Sequence, residues 1–144
     1  MLGCADSRVA PEILFDQGIG DIFTVRVAGN VAGLFEMDSV AFAVTHFESP
    51  IIMVLGHKNC GAVRAVVDGD TKGIEPIAEL IQPAVERSKD QPGDRLENSV
   101  KMNVQLVVEQ LKNNKEIAEA IKQQKVKVVG GYYDLESGQV EVLP

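Results

Sequence analysis

The run Ile51-Ile52-Met53-Val54-Leu55-Gly56 constrains the fold most. It is six residues without a polar side chain, set off by Pro50 and flowing directly into His57-Lys58-Asn59-Cys60-Gly61. Such a run reads as a buried strand. A strand of this kind, followed by chemistry-bearing residues at its carboxyl end, belongs to an open α/β sheet that binds ligands beyond its strand ends.

The rest of the chain alternates strand and helix signals. Met1-Leu2-Gly3 begins a strand that runs into Cys4-Ala5-Asp6-Ser7-Arg8; if Leu2 to Ala5 end it, residues 4, 6 and 8 point to one side. Pro11 and Glu12 suit the first turn of a short helix reaching Phe15. Ile22 to Val27 is rich in β-branched and aromatic residues and reads as a strand, closed by Ala28-Gly29-Asn30. Apolar residues recur at helical spacing from about Asp38 to Phe47, with Asp38 or Ser39 as the N-cap. Helices follow over Gly61 to Val67, over Ile74 to Ser88 with a break near Pro83, over Leu96 to Leu111, and over Glu116 to Gln123. Val126 to Tyr133 reads as a strand, Asp134 to Gly138 as a turn and Gln139 to Val142 as a returning edge strand. The expected fold is α/β, a mainly parallel sheet of about four strands with an antiparallel edge strand, flanked by helices, in one domain over residues 1–144. Only three residues precede Cys4, so the first strand reads as clipped and prone to fray unless docked.

Composition narrows the function. No apolar run approaches the roughly 20 residues that cross a bilayer, and no basic-then-apolar leader opens the chain. The expectation is a soluble cytoplasmic protein with no membrane partner. Net charge is −7, and the 14 Lys and Arg are scattered, which argues against nucleic acid. Two cysteines are too few for a disulfide framework, and one lies in H-x-x-C, so reduced thiols that hold a metal fit better.

Two strand ends supply Cys4, His57 and Cys60, the soft and borderline donors that zinc takes, with a fourth position open for water. Two thiolates and a neutral imidazole balance the charge of Zn²⁺. The bound water then ionises towards neutral pH, less readily than beside three imidazoles, and a mildly alkaline optimum follows. Asp6 can accept a hydrogen bond from that hydroxide or become the fourth ligand, and Arg8 can fork onto Asp6 and hold it off the metal. The pair reads as a gate.

C-A-D-S-R followed by H-K-N-C-G resembles the β-class carbonic anhydrases. V-R-V-A-G-N, the S-V-A-F-A-V-T-H helix and G-G-Y-Y-D-L-E-S-G are similar to that family too, so the resemblance spans essentially the whole chain. It implies one Zn²⁺ per chain on Cys4, His57 and Cys60, with Asp6 and Arg8 as the gating dyad. It also implies reversible hydration of carbon dioxide to bicarbonate and a proton by zinc-bound hydroxide, in a homodimer or higher even oligomer. Family members carry helices before the first strand, and this chain shows none. The family's pocket tyrosine appears as Phe42. The tryptophan of bicarbonate-regulated members is missing, although Arg26 matches their arginine.

Several readings stay open at this point. His46 matches the family's candidate proton shuttle, and its ordinary pKa of about 6.5 suits that role, yet a histidine ending a helix also complements the dipole. Phe23 and Phe42 are pocket walls or core. Gly61, beside the metal, gives carbon dioxide room or is a turn residue. Cys4 and Cys60 are ligands or packed thiols, and Asp6 with Arg8 is a gate, a structural ion pair, or both. Beside the lyase stand a zinc-binding scaffold, a poorly active truncated form, and a hydrolase of carbonyl sulfide or carbon disulfide on the same site.

Overall fold

A computed structural model describes residues 1–144. The Ile51 run becomes β3 (Ile51–His57), the central strand of a five-stranded sheet. With β1 (Leu2–Gly3), β2 (Val25–Arg26), β4 (Lys127–Tyr133) and β5 (Val140–Leu143) the order is β2-β1-β3-β4-β5. β1 to β4 run parallel, and β5 lies antiparallel on β4. The expected parallel four-stranded sheet with an antiparallel edge is the sheet observed.

The clipped first strand is docked on both sides. Leu2 pairs with Val25 and with Val54, and Gly3 with Arg26 and with Leu55. Further backbone bonds, Val25 N–H to Met1 O, Val27 N–H to Gly3 O and Ala5 N–H to Val27 O, extend that seam. β2 covers only Val25–Arg26 of the expected Ile22 to Val27, because β1 offers so short a partner.

Six helices, α1 (Pro11–Leu14), α2 (Leu34–His46), α3 (Gly61–Asp68), α4 (Glu75–Ser88), α5 (Arg95–Lys112) and α6 (Lys115–Lys122), flank the sheet. Asp94 caps α5 by accepting from Glu97 N–H, and Asn114 caps α6 by accepting from Glu116 and Ile117 N–H. Two expectations need correction. α2 starts at Leu34 with no side-chain cap, not at Asp38. Leu34 and Phe35 are 72% and 80% exposed, so the first turn's apolar residues lie off the buried stripe and broke the period. α4 runs unbroken through Pro83. That proline is exposed, while Ile81, Ala84, Val85 and Ser88 are buried on the opposite face, and their packing outweighs one lost backbone bond.

α5 lies directly on the sheet. Its valines Val100, Val104, Val107 and Val108 join one buried core cluster with Leu2, Ile52, Val54 and Val128. Gly56 makes the contact close: a Cβ there would stand 2.6 Å from Val104 Cγ2 and 2.9 Å from Val100 Cγ1.

Candidate active site

The donors gather where β1 and β3 leave the sheet. Cys4 follows β1, His57 ends β3, and Cys60 is the N-cap residue of α3. Because β1 and β3 are hydrogen-bonded neighbours, their ends lie side by side. The Cys4 and Cys60 sulfurs are 4.0 Å apart as free thiols, and the three donor atoms lie within 4.8 Å of one another. Two 2.3 Å zinc–sulfur bonds at the tetrahedral angle span about 3.8 Å, so the residues fit that ion.

His57 is presented for coordination. Its Nδ1 bonds the Lys58 carbonyl at 2.9 Å, which makes Nδ1 the donor. Nε2 is then left with a lone pair, buried and without a hydrogen-bond partner. The loop behind it is fixed by Lys58 N–H donating to Tyr133 O and by a left-handed turn at Asn59, φ 57°.

The thiols form a coupled pair. Cys4 is held down to about 4, first because the Cys60 thiol donates to it, with burial opposing and His57, Asp6 N–H and Gly29 N–H assisting. Cys60 is pushed up by the same hydrogen bond and by burial.

Asp6 sits at the rim. Its Oδ2 lies 3.9 Å from His57 Nε2. Arg8 grips both carboxylate oxygens, Nε to Oδ1 at 2.9 Å and Nη2 to Oδ2 at 2.7 Å, and Arg8 N–H adds a bond to Oδ1 at 2.9 Å. This grip, first among the causes, holds the Asp6 carboxyl well below the usual carboxylate range. Arg26 holds the backbone of the same loop, donating from Nε to Cys4 O at 2.9 Å and from Nη2 to Asp6 O.

Gly61 opens α3 directly after Cys60, and a Cβ there would meet nothing within 4 Å. Phe23, Phe42 and His46 are elsewhere. Phe42 stacks on His46 with centroids 4.2 Å apart and meets Phe47 and Phe23 at 5.4 and 6.4 Å. Phe23 O accepts from the Met1 ammonium, and α2 ends just before β3 begins. The aromatic cluster thus borders the leading ends of the strands, away from the carboxyl ends that carry the donors. Within one chain these three residues are not brought to Cys4, His57 and Cys60. His46 ends α2, as the dipole reading expects, and its Nδ1 lies 2.8 Å from Thr45 Oγ1.

Three contacts escaped the sequence reading, which had Gly29 closing a strand and Arg26 matching a regulatory arginine. Gly29 N–H points at Cys4 Sγ at 3.4 Å, Asn103 Nδ2 donates to Gly29 O at 2.8 Å, and Arg26 clamps the Cys4–Asp6 loop. The signal for Asn103 was its position, three residues beyond Val100 on the apolar stripe of α5, where a polar amide has to have a partner. A surface groove of about 760 Å³ between the end of α2 and α6 is lined by Thr45, Glu48, Lys115 and Glu119 among others and touches none of the donors.

Comparison with known proteins agrees with this geometry. A family model described as carbonic anhydrase matches residues 1–140. A carbonic anhydrase of Mycolicibacterium smegmatis is 38% identical over 149 aligned residues, covering 99% of this chain and 72% of the relative. Carbonic anhydrase 2 of Mycobacterium tuberculosis is 37% identical, covering 96% of this chain and 70% of the relative. Among solved structures, the β-carbonic anhydrase CafA of Aspergillus fumigatus superposes with a TM-score of 0.90 at 28% identity, covering 99% of this chain and 73% of that one.

Proposed function

Because the chain belongs to the β-carbonic anhydrase family, we propose that it hydrates carbon dioxide reversibly to bicarbonate and a proton, with one zinc ion held by Cys4, His57 and Cys60. The observation that carries this is the convergence of two thiols and an unpartnered, buried imidazole Nε2 beside an Arg-gripped carboxylate. A zinc ion bound there would supply Lewis acidity that makes water a nucleophile near neutral pH.

The chain's own residues do the rest. His57 is locked by its Nδ1 bond and cannot rotate away. Asp6 is too acidic to act as a base, so it orients: Oδ2 accepts a hydrogen from the reacting water and turns the water's lone pair towards the carbon of carbon dioxide. Arg8 and Arg26 hold Asp6 from its side chain and its backbone, so little reorganisation accompanies the reaction. The open space above Gly61 admits a small linear substrate. Since Asp6 does not keep the proton, it passes to solvent or to another group.

Phe23, Phe42 and His46 can reach such a site only from a second copy of the chain. The surface they occupy favours one: Phe42, Phe47 and Ile51 are 44%, 61% and 59% exposed and contiguous with Phe23. We therefore assign them to the contact of a homodimer or higher even oligomer, Phe23 and Phe42 as walls of the neighbour's pocket and His46 as its proton relay. No helix is long and apolar enough to cross a membrane.

The test is stopped-flow carbon dioxide hydration on protein of known zinc content. Turnover should fall about 10²-fold in Asp6→Ala, the scale for losing one orienting contact, with zinc content unchanged. An unchanged rate would remove Asp6 from the reaction. Stoichiometric zinc without turnover in the parent protein would favour the scaffold reading.

A further inference from the structure

The turn Ala28–Asn30 is held more firmly than a connection needs. Gly29 has φ 70° and Asn30 φ 45°, two successive residues in the left-handed region. A Cβ on Gly29 would stand 2.7 Å from Ile81 Cδ1 and 3.3 Å from Ala62 Cβ, so α4 and α3 close on the turn and only glycine fits. From the third side comes α5. Asn103, 1% exposed among the valines of that helix, donates from Nδ2 to Gly29 O at 2.8 Å across 74 residues of sequence. The N–H of the same Gly29 points at Cys4 Sγ, 3.4 Å away.

A buried amide on an apolar helix face carries a desolvation cost that a methyl-bearing residue would avoid. Its one bond here goes to the residue whose N–H meets a metal-binding sulfur. We propose that Asn103 is a positioning residue of the metal centre: by fixing the Gly29 carbonyl it aims the Gly29 N–H at Cys4 Sγ as an outer hydrogen bond to that thiolate. The inference rests on Cys4, His57 and Cys60 holding a metal, the reading proposed above. An N–H aimed at a thiolate withdraws charge from the sulfur and fixes its direction, and outer partners of this kind typically change metal affinity 10- to 100-fold. A purely structural Asn103 would satisfy the carbonyl and leave the sulfur's hydrogen bond unaltered when replaced.

The full chain loaded with ¹¹³Cd tells these apart by NMR, because a hydrogen bond to a metal-bound sulfur transmits scalar coupling from the metal to the amide proton. The parent protein should show ¹¹³Cd coupled to the Cys4 and Cys60 β-protons and to the Gly29 amide proton. In Asn103→Leu the cysteine couplings should persist while the Gly29 coupling falls several-fold, and chelator competition should show about tenfold weaker metal binding, the low end for outer partners. Asn103→Ser, which is smaller and too short to reach Gly29 O, gives the same reading if the leucine variant does not fold. Cysteine couplings without a Gly29 coupling in the parent overturn the inference while leaving the metal site intact. A Gly29 coupling that survives unchanged in a folded variant overturns the role of Asn103. A parent that shows no cysteine couplings overturns the metal reading and the inference with it.

Discussion

Replacing Gly56 by alanine tests how the sheet and α5 jointly support the site. The new Cβ would lie 2.6 Å from Val104 Cγ2 and 2.9 Å from Val100 Cγ1, and both valines are fully buried. Carbon atoms settle near 3.5 to 4.0 Å, so Val104 has to retreat by about 1 Å. It has little room, because its other methyl, Cγ1, stands 2.8 Å from where a Cβ on Gly130 would be. Overpacking of this kind costs about 3 kcal/mol, the upper part of the usual range, or roughly 10 °C in Tm for a chain of this size. Val104→Ala alone leaves a cavity and costs about 2 kcal/mol. In the double variant the vacated methyl space houses the new Cβ, so the loss should stay near 2 to 3 kcal/mol instead of the additive 5, a coupling of about 2 to 3 kcal/mol. Urea denaturation of the four proteins measures it. The function should follow the packing: Asn103 adjoins Val104 and His57 adjoins Gly56, so metal affinity drops in Gly56→Ala and recovers in the double variant. Additive stabilities, within about 0.5 kcal/mol, would show that the 2.6 Å approach is not what makes glycine necessary.

Tyr132, buried under the Lys101 ammonium 4.8 Å from its ring, is pushed up to about 12 by burial. Its folded pKa lies above the unfolded value of about 10. Its contribution to stability is therefore complete below pH 10 and is lost as pH rises towards 12; in chemical denaturation Tyr132→Phe should lessen the alkaline loss over that window, and identical slopes would refute the assignment. Phe42→Glu places a carboxylate among Phe23, His46 and Phe47. It should lower the mass seen by light scattering and reduce turnover together, with far-UV circular dichroism unchanged; unchanged mass and turnover would remove the aromatic cluster from the subunit contact.

What the sequence made legible was local, and what it hid was set by partners far along the chain. β3 and the stripe of α5 were visible because burial imposes a period on consecutive residues, and the ends of β1 and β3 advertised their donors through residue type alone. The start of α2 was hidden because Leu34 and Phe35 face outward, a choice no helical period dictates. The break expected at Pro83 failed for the opposite reason: its neighbours' burial against the core, invisible in the local sequence, outweighs the missing N–H. The site divides the same way. Cys4, Asp6 and Arg8 lie within five residues of one another, so their grouping needs only a strand end. Gly29 and Asn103 are 25 and 99 residues from Cys4: the Gly29 N–H meets the Cys4 sulfur only once β2 has docked on β1, and Asn103 meets the Gly29 carbonyl only once α5 has closed over Gly56. Under the role proposed for Asn103, a perturbation of α5 reaches the Cys4 sulfur through the Gly29 backbone amide, so the helix packed behind the thiols belongs to the site as much as the strand ends that carry them.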